Sequence, residues 1–353
     1  MAFPASTGWG NLPNGVWSPV IYSKKVQKTF RKKSVVQAIT NNDYFGEIAN
    51  MGDSVRIIKE PEITIVPYAR GAKIVPQDLT DSDFTLVVDQ ATYWAFKVDD
   101  IEESMSHINW DDLARNRGAY RMADAFDREI LGYIAGYYEA TPGSGTWTAR
   151  TTFPGTKAWS DAGSDEWLAA NQLTKSAFSS SGTGTNSIPL GVSGTYDATP
   201  LQLLARFDRL MNEQNVDSDN RWAVVDPVFV ELLGDENSKY LNRDNNPNNP
   251  GLNTSNGVLF SGEKVRGFTL YLSNNLPVFG TGDSTINTAG SSSNYGVVVA
   301  GHKSAVATAE NLAKSESIRS ADTFGDIYRA MHVYGRKILR PEALFRAIWN
   351  VSK

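Results

Sequence analysis

Three histidines, no cysteine and a crowd of interleaved carboxylates and arginines are all that this chain offers to chemistry. The histidines are His107, His302 and His332. No two of them stand at HxxH or HExxH spacing, so a helix-borne zinc site has no pair of ligands to use. They read as solvated or core histidines. The absence of cysteine removes disulfides, thiolate metal sites and a thiol nucleophile. GxSxG, Walker A and GxGxxG patterns are missing as well. The loop NRDNNPNNPGLN at 242–253 has the Asp/Asn density of a calcium loop. An EF-hand loop starting at Asp244 needs a glutamate at position 255, where the chain has Ser255. The carboxylates of 99–129 alternate with cations: Asp111, Asp112, Arg115, Arg117, Arg121, Asp124, Asp127 and Arg128. That pattern is a solvated or interface helix face rather than a pair of catalytic acids. No catalytic residue, cofactor or metal is expected.

The one concentrated charge feature is KKVQKTFRKK at 24–33, with Lys24, Lys25, Lys28, Arg31, Lys32 and Lys33. No acid precedes Asp43, so the first 42 residues carry +6. A chain at −5 overall leaves −11 for the rest. A nucleic-acid arm would neutralise phosphates, yet only Tyr22 and Phe30 stand nearby to stack on bases. A membrane patch would need an apolar helix face that the stretch lacks. An arm lying on acidic copies of the same chain matches the charge asymmetry and steers association. That third reading is preferred. Trp9 and Trp17, upstream in a Gly/Pro/Asn-rich segment, are too apolar for a free tail and are expected to dock. MAFPASTGWGNLPNG lacks the charged n-region and apolar core of a signal peptide, and no run of about 18 apolar residues exists. Cytoplasmic assembly without a membrane partner is expected.

The elements that would position these groups follow from periodicity. Val35, Val36, Ile39 and Ile48 are weakly spaced for a helix. GDSVRIIKEPEITIVPY (52–68) and TLVVDQATYWAFKVD (85–99) read as a long two-stranded excursion joined through the Gly71 turn. A two-stranded ribbon is marginal alone. Its Trp94/Phe96 face is expected to be covered by another subunit. A long helix should follow from Asp99 or Asp100, with Ile101, Met105, Ile108, Ala119, Met122, Phe126, Ile130 and Ile134 on one face, bent at Gly118. Residues 141–199 are Ser/Thr/Gly-rich and read as an irregular insertion with isolated Trp147, Trp159 and Trp167. Thr199-Pro200 and Asp226-Pro227 are helix starts. RWAVV (221–225), FTLYL and GVVVA are buried strands. Alternating strands and helices over 200–312 predict a compact α/β domain. YRAMHVYGRKILRP (328–341) and ALFRAIW (343–349) read as adjacent closing strands.

The order of these parts resembles the major capsid proteins of tailed bacteriophages, the HK-97-like fold, over nearly the whole chain. The stretches that carry the likeness are GDSVRIIKEPEITIVPY…TLVVDQATYWAFKVDD, IEESMSHINWDDLARNRGAYRMADAFDREI, NVDSDNRWAVVDPVFVELL, GFTLYLSNNLP and RAMHVYGRKILRPEALFRAIW. The resemblance implies an α+β fold with an N-terminal arm (1–50) and a long β-hairpin E-loop (51–100). A spine helix of the peripheral domain (101–140), the 141–199 insertion, an axial domain (200–312) and closing peripheral strands (313–353) follow. It implies hexamers and pentamers forming an icosahedral head around double-stranded DNA held without sequence reading. It also implies a portal protein at one vertex, and a scaffolding or decoration (cement) protein as further partners. Intersubunit contacts would come from Trp9, Trp17, Lys24, Lys25, Lys28, Arg31, Lys32 and Lys33 of the arm. From the E-loop they would come from Tyr68, Arg70, Lys73, Trp94 and Phe96. Some members join a lysine to a neighbour's asparagine, for which Lys73 and Asn350 are the pair to consider. Two alternatives remain open at this point. One is an encapsulin-like compartment shell. The other is a carbohydrate-binding or hydrolytic β-rich protein using Trp147, Trp159 and Trp167 as sugar platforms.

Overall fold

The computed structural model describes residues 34–43, 54–59, 63–71, 73–74, 76–77, 82–100, 110–141, 143–149, 168–178, 187–191, 196–235, 264–279, 295–320 and 323–351. In chain order the first half contains α1 (Val36–Ile39), β1 (Ser54–Lys59), β2 (Ser82–Val87), β3 (Gln90–Asp99), α2 (Trp110–Ala135), β4 (Tyr137–Glu139), β5 (Trp147–Ala149), β6 (Gln172–Leu173) and β7 (Ile188–Leu190). The second half contains α3 (Pro200–Glu213), β8 (Arg221–Val225), α4 (Pro227–Leu233), β9 (Lys264–Val265), β10 (Phe268–Leu272), β11 (Val278–Phe279), β12 (Tyr295–His302), β13 (Val306–Arg319), β14 (Gly325–Ile338) and β15 (Leu344–Val351). None of the helices among the described residues is long and apolar enough to cross a membrane.

A mixed eight-stranded sheet, ordered β6-β15-β12-β8-β10-β9, carries the main core, with β7 beside β15 and β11 beside β12. RWAVV is buried at every position because both faces of the sheet are covered. Ala223 and Val225 face Leu203, Leu204, Phe207 and Met211 of α3 and Phe229 of α4. Trp222 and Val224 face the other way, toward Phe126, Ile130 and Ile134 of α2 and Val36 and Ile39 of α1. The helix starts are the ones the sequence announces. Thr199 Oγ1 accepts the Gln202 N–H while the Gln202 side chain accepts the Thr199 N–H, a reciprocal capping box ahead of Pro200. Asp226 Oδ1 accepts the Phe229 N–H at 3.1 Å ahead of Pro227.

Asp226 is also buried, and that burial raises its pKa to about 6 despite the hydrogen bonds from Phe229 and its own backbone N–H. The folded protein therefore binds a proton more tightly than the unfolded chain, and stability falls as pH rises from about 4 through about 6. Asp226→Asn keeps the cap and removes the buried charge. It is expected to raise the unfolding free energy at pH 7 by up to about 3 kcal/mol. That gain should fade below pH 4, as read by urea denaturation at the two pH values.

A second sheet, β13-β14-β3, extends away from this core. β13 and β14 are each 14 residues long and pair antiparallel, with an irregularity between Glu310 and Leu312. β3 lines the other edge of β14 from Gly325↔Asp99 to Tyr334↔Gln90. Arg346 joins α2 to the main sheet. Its guanidinium donates to Ala135 O at 2.5 Å, at the carbonyl end of α2, and to Gln172 Oε1 at 2.6 Å. Burial pulls its pKa down to about 10, so it stays charged at neutral pH.

Four sequence expectations change. First, β14 and β15 are not neighbours: β14 pairs with β13 and β3, whereas β15 lies between β12 and β6. The 3-10 turn Pro341–Ala343 redirects the chain, and Pro341 brings no N–H to a ladder. Second, the run 85–99 is two strands, since Ser82–Val87 pairs with β1 and Gln90–Asp99 with β14. Third, part of 141–199 is core. Leu173, Ile188 and Leu190 are buried beside β15, and Trp147 is 3% exposed against α2. Fourth, β13 crosses the expected boundary at 312, so the α/β unit and the second sheet share no clean cut there.

Candidate assembly surface

The β1–β2 excursion is rooted on a small apolar cluster and ends in solvent. Ser54↔Val87 through Lys59↔Ser82 pair antiparallel. At the root Leu86 and Val88 are buried with Ala307, Ala309 and Val333, and Val55 and Ile57 pack against them. Gly335 of β14 is what lets the chain come this close. A Cβ there would lie 3.0 Å from both Val87 C and Val88 Cα, and closer still to Val87 O.

Beyond the root, 63–69 runs extended without a strand partner among the described residues. The Gln77 side chain clamps it instead, accepting from Thr64 N–H at 3.3 Å and donating to Thr64 O at 2.8 Å. The side chains here are apolar and bare: Ile63 is 68% exposed, Ile65 93%, Tyr68 68% and Ile74 75%. Val66 and Ile58 are exposed too. Singly exposed apolar residues need no explanation, but a contiguous set on a thin projection marks a contact site. Of the predicted E-loop contacts, Tyr68, Arg70 and Lys73 lie in this exposed stretch.

Trp94 and Phe96 do not. They are half-buried on the face of β3 turned toward α2. Their rings stack at 5.3 Å, and Phe96 stacks on Tyr328 of β14 at 5.2 Å. Arg115 of α2 lies over Tyr328 at 5.1 Å. A Cβ on Gly118 would sit 2.6 Å from the Trp94 ring, so glycine is there for close packing and the helix runs on through it. The chain's own helix thus covers the face that the sequence reading assigned to a neighbour. Replacing Trp94 and Phe96 together by serine is expected to lower the unfolding free energy of the unassembled subunit by about 3 kcal/mol, measured by urea denaturation. A subunit as stable as the parent would return this face to a neighbour.

The opposite face of the second sheet is mixed. Tyr93 is fully outward, Met331 and Ile318 are exposed, and Arg329 pairs with Glu316 between them. At the far end Arg319 pairs with Asp100 and, at 3.2 Å, with Asp326, which ties the β13–β14 turn to the end of β3. Hydrogen bonding to Arg319 holds the Asp100 carboxyl below its usual range.

The eight arm residues, Trp9, Trp17, Lys24, Lys25, Lys28, Arg31, Lys32 and Lys33, lie outside the described residues, as do His107, Trp159, Trp167 and the 242–253 loop. The described chain begins at Ser34, and what holds it there was not visible in sequence. Asp127, one of the acids read as a solvated helix face, is completely buried and accepts from Ser34, Val35 and Val36. Its neighbours Asp124 and Arg128 are buried as well, Arg128 paired with Glu139. The only cue was position: Asp127 sits beside Phe126 on the apolar side of the helical repeat.

The two histidines among the described residues lie apart, each in its own surroundings. His302 Nδ1 lies 2.8 Å from Ser304 Oγ, and burial lowers its pKa. His332 sits buried between Phe126 and Tyr334, 3.6 Å from Glu310. No group of three or more metal-ligating side chains occurs among the described residues. Trp147 packs inside, with Arg128 over its ring at 5.3 Å, so it presents no platform to a sugar.

No protein-family model matches the sequence, and no curated protein matches it either. Solved structures do. A chain of Mycobacterium phage Che8 superposes with a TM-score of 0.67 at 22% identity, over 95% of this chain and 97% of its own. A chain from the capsid of the cyanophage P-SCSP1u gives 0.64 at 16% identity, over 95% and 94%. One from the capsid of Ralstonia phage GP4 gives 0.63 at 12% identity, over 99% of both chains. At these identities what is shared is the backbone path, and it is shared almost from end to end. The chain therefore has the α+β fold of the HK-97-like phage capsid proteins.

Proposed function

We propose that this protein is a major capsid protein, a structural subunit that assembles with copies of itself into an icosahedral phage head. The observation that carries the reading is the likeness to chains of phage capsids over 95% or more of the sequence. In this reading β1–β2 and the extended 63–69 stretch belong to the E-loop, and α2 is the spine helix. The β13-β14-β3 sheet is the peripheral domain, and the eight-stranded sheet with α3 and α4 is the axial domain. Hexamers and pentamers are the building units. Apolar residues bare on a projection are costly for a monomer and favourable between copies.

The charge asymmetry supports the same reading. A body at −11 repels packaged DNA and favours a basic segment of another copy. The shell would be built in the host cytoplasm and end in the virion. A portal protein at one vertex and a scaffolding or decoration protein are the partners that such a shell takes.

Negative-stain electron microscopy of the purified protein, expressed alone and with its neighbouring genes, tests the proposal. Closed particles of uniform diameter are the expected result. DNA inside marks a phage head, and a protein cargo inside marks an encapsulin-like compartment. Monomers under every condition would overturn the shell reading.

A further inference from the structure

Asp127 lies in the middle of α2 with none of its surface exposed, yet most of its hydrogen bonds go to a distant piece of chain. Its Oδ1 accepts from Ser34 Oγ at 2.8 Å, from Val35 N–H at 2.8 Å and from Val36 N–H at 3.0 Å. Its Oδ2 accepts from Asn275 Nδ2 at 2.9 Å, in the connection after β10. One carboxylate therefore joins three regions: the start of the described chain, the long helix, and the α/β sheet.

The segment it holds has little of its own to hold it. α1 is one turn of four residues, and its N-cap residue Val35 makes no side-chain capping bond. A single turn does not persist alone. Its first N–H groups are orphans that must find acceptors, and Asp127 supplies one from across the fold. Downstream the same segment is pinned to β13, where Asn41 N–H donates to Val306 O at 2.8 Å and Thr308 N–H to Asn41 O at 3.1 Å. The upstream end has Asp127. A carboxylate suits this place because both oxygens accept and neither donates. An asparagine would turn an NH2 toward donors on one side or the other.

We infer that Asp127 is a positioning residue, a latch that fixes Ser34, Val35 and Val36, to which the first 33 residues are joined, and ties them to the 273–276 connection. The inference rests on the shell reading, in which those residues act between copies. An arm that departs from a fixed point in a fixed direction loses less conformational freedom when it engages a neighbour. Loosening the latch therefore weakens association without replacing any residue that touches the neighbour.

The test uses the full chain with two variants, Asp127→Ala and Ser34→Ala. Amide hydrogen exchange of the unassembled subunit is read alongside the critical concentration for shell formation. In Asp127→Ala the Val35 and Val36 amides should exchange at least tenfold faster while β8 and β12 keep their rates, and the critical concentration should rise at least tenfold. Ser34→Ala removes one donor at an exposed position and should move both readouts the same way by a few-fold. Unchanged exchange at Val35 and Val36 overturns the latch. So does faster exchange spread equally over β8 and β12 in both variants, which would report general loosening. Faster local exchange with an unchanged critical concentration overturns the positioning role and leaves the shell reading standing. Parent protein that never forms shells overturns the shell reading itself, before any variant is made.

Discussion

Gly335→Ala should cost the unassembled subunit about 3 kcal/mol, because the added methyl group meets backbone that cannot move aside. Gly335 sits in β14 opposite Ala309, where the β2–β3 junction crosses it. The atoms an added Cβ would meet are Val87 O, Val87 C and Val88 Cα, all backbone. A flexible side-chain end swings aside at little cost. Backbone anchored on both sides cannot. On one side Leu86 and Val88 are fully buried with Val333, and on the other Gln90 begins the ladder with Tyr334. The junction must therefore lift off β14 or the ladder must shift, and either opens the cluster at the root of the excursion. Gly234→Ala is the control. It ends α4 at φ −88°, and the nearest atoms to an added Cβ are carbonyl oxygens at 3.5 and 3.7 Å. It is expected to change stability by less than about 0.5 kcal/mol. Urea denaturation of both variants checks the pair. A Gly335→Ala subunit as stable as Gly234→Ala would mean that the excursion is not rigidly rooted.

Gly335 also marks where sequence stops being informative. Nothing in YRAMHVYGRKILRP says that a distant backbone passes over its glycine. What was legible is local. Thr199-Pro200, Asp226-Pro227 and the apolar run RWAVV declare themselves through side chains acting on their own neighbours in sequence, and each is found where expected. β13 was not legible because VATAENLAKSESIR has neither strict alternation nor many β-branched residues. Its strand character comes from pairing with β14 along its whole length. The false adjacency of β14 and β15 has the same origin, since one short turn between two strands predicts a hairpin unless the partner sheets are known. The charged face of α2 misled in a more instructive way. Helical spacing puts Asp127 next to Phe126, but only the fold brings Ser34 and Asn275 to it. A buried acceptor for four donors and an exposed carboxylate look alike in a string of letters.

Replacing Ile63, Ile65 and Ile74 together by serine should leave the subunit's own stability within about 1 kcal/mol of the parent and raise the critical concentration for shell formation at least about 100-fold. The first half follows from exposure. These side chains are 68%, 93% and 75% exposed, so folding buries little of them and little is lost when they shrink. The second half follows from what a neighbour would do. Fully burying an isoleucine contributes roughly 1.5–3 kcal/mol. Part of that is offset by ordering the stretch on association. About 1 kcal/mol net for each of three residues is a factor of roughly 150 in an equilibrium constant. The same residues should make the variant more soluble, because bare isoleucines on an extended, unpaired stretch invite nonspecific pairing. Melting curves of the unassembled subunit and light-scattering titrations of assembly separate the two halves. A variant that assembles at the parent's concentration would show that no other copy covers this surface. A variant that melts early would show that the stretch packs on its own subunit. The contrast with Trp94 and Phe96 sharpens the test. Two apolar faces lie within about thirty residues of each other in sequence. One is closed by the chain's own helix and should report on folding, while the other is open and should report on assembly.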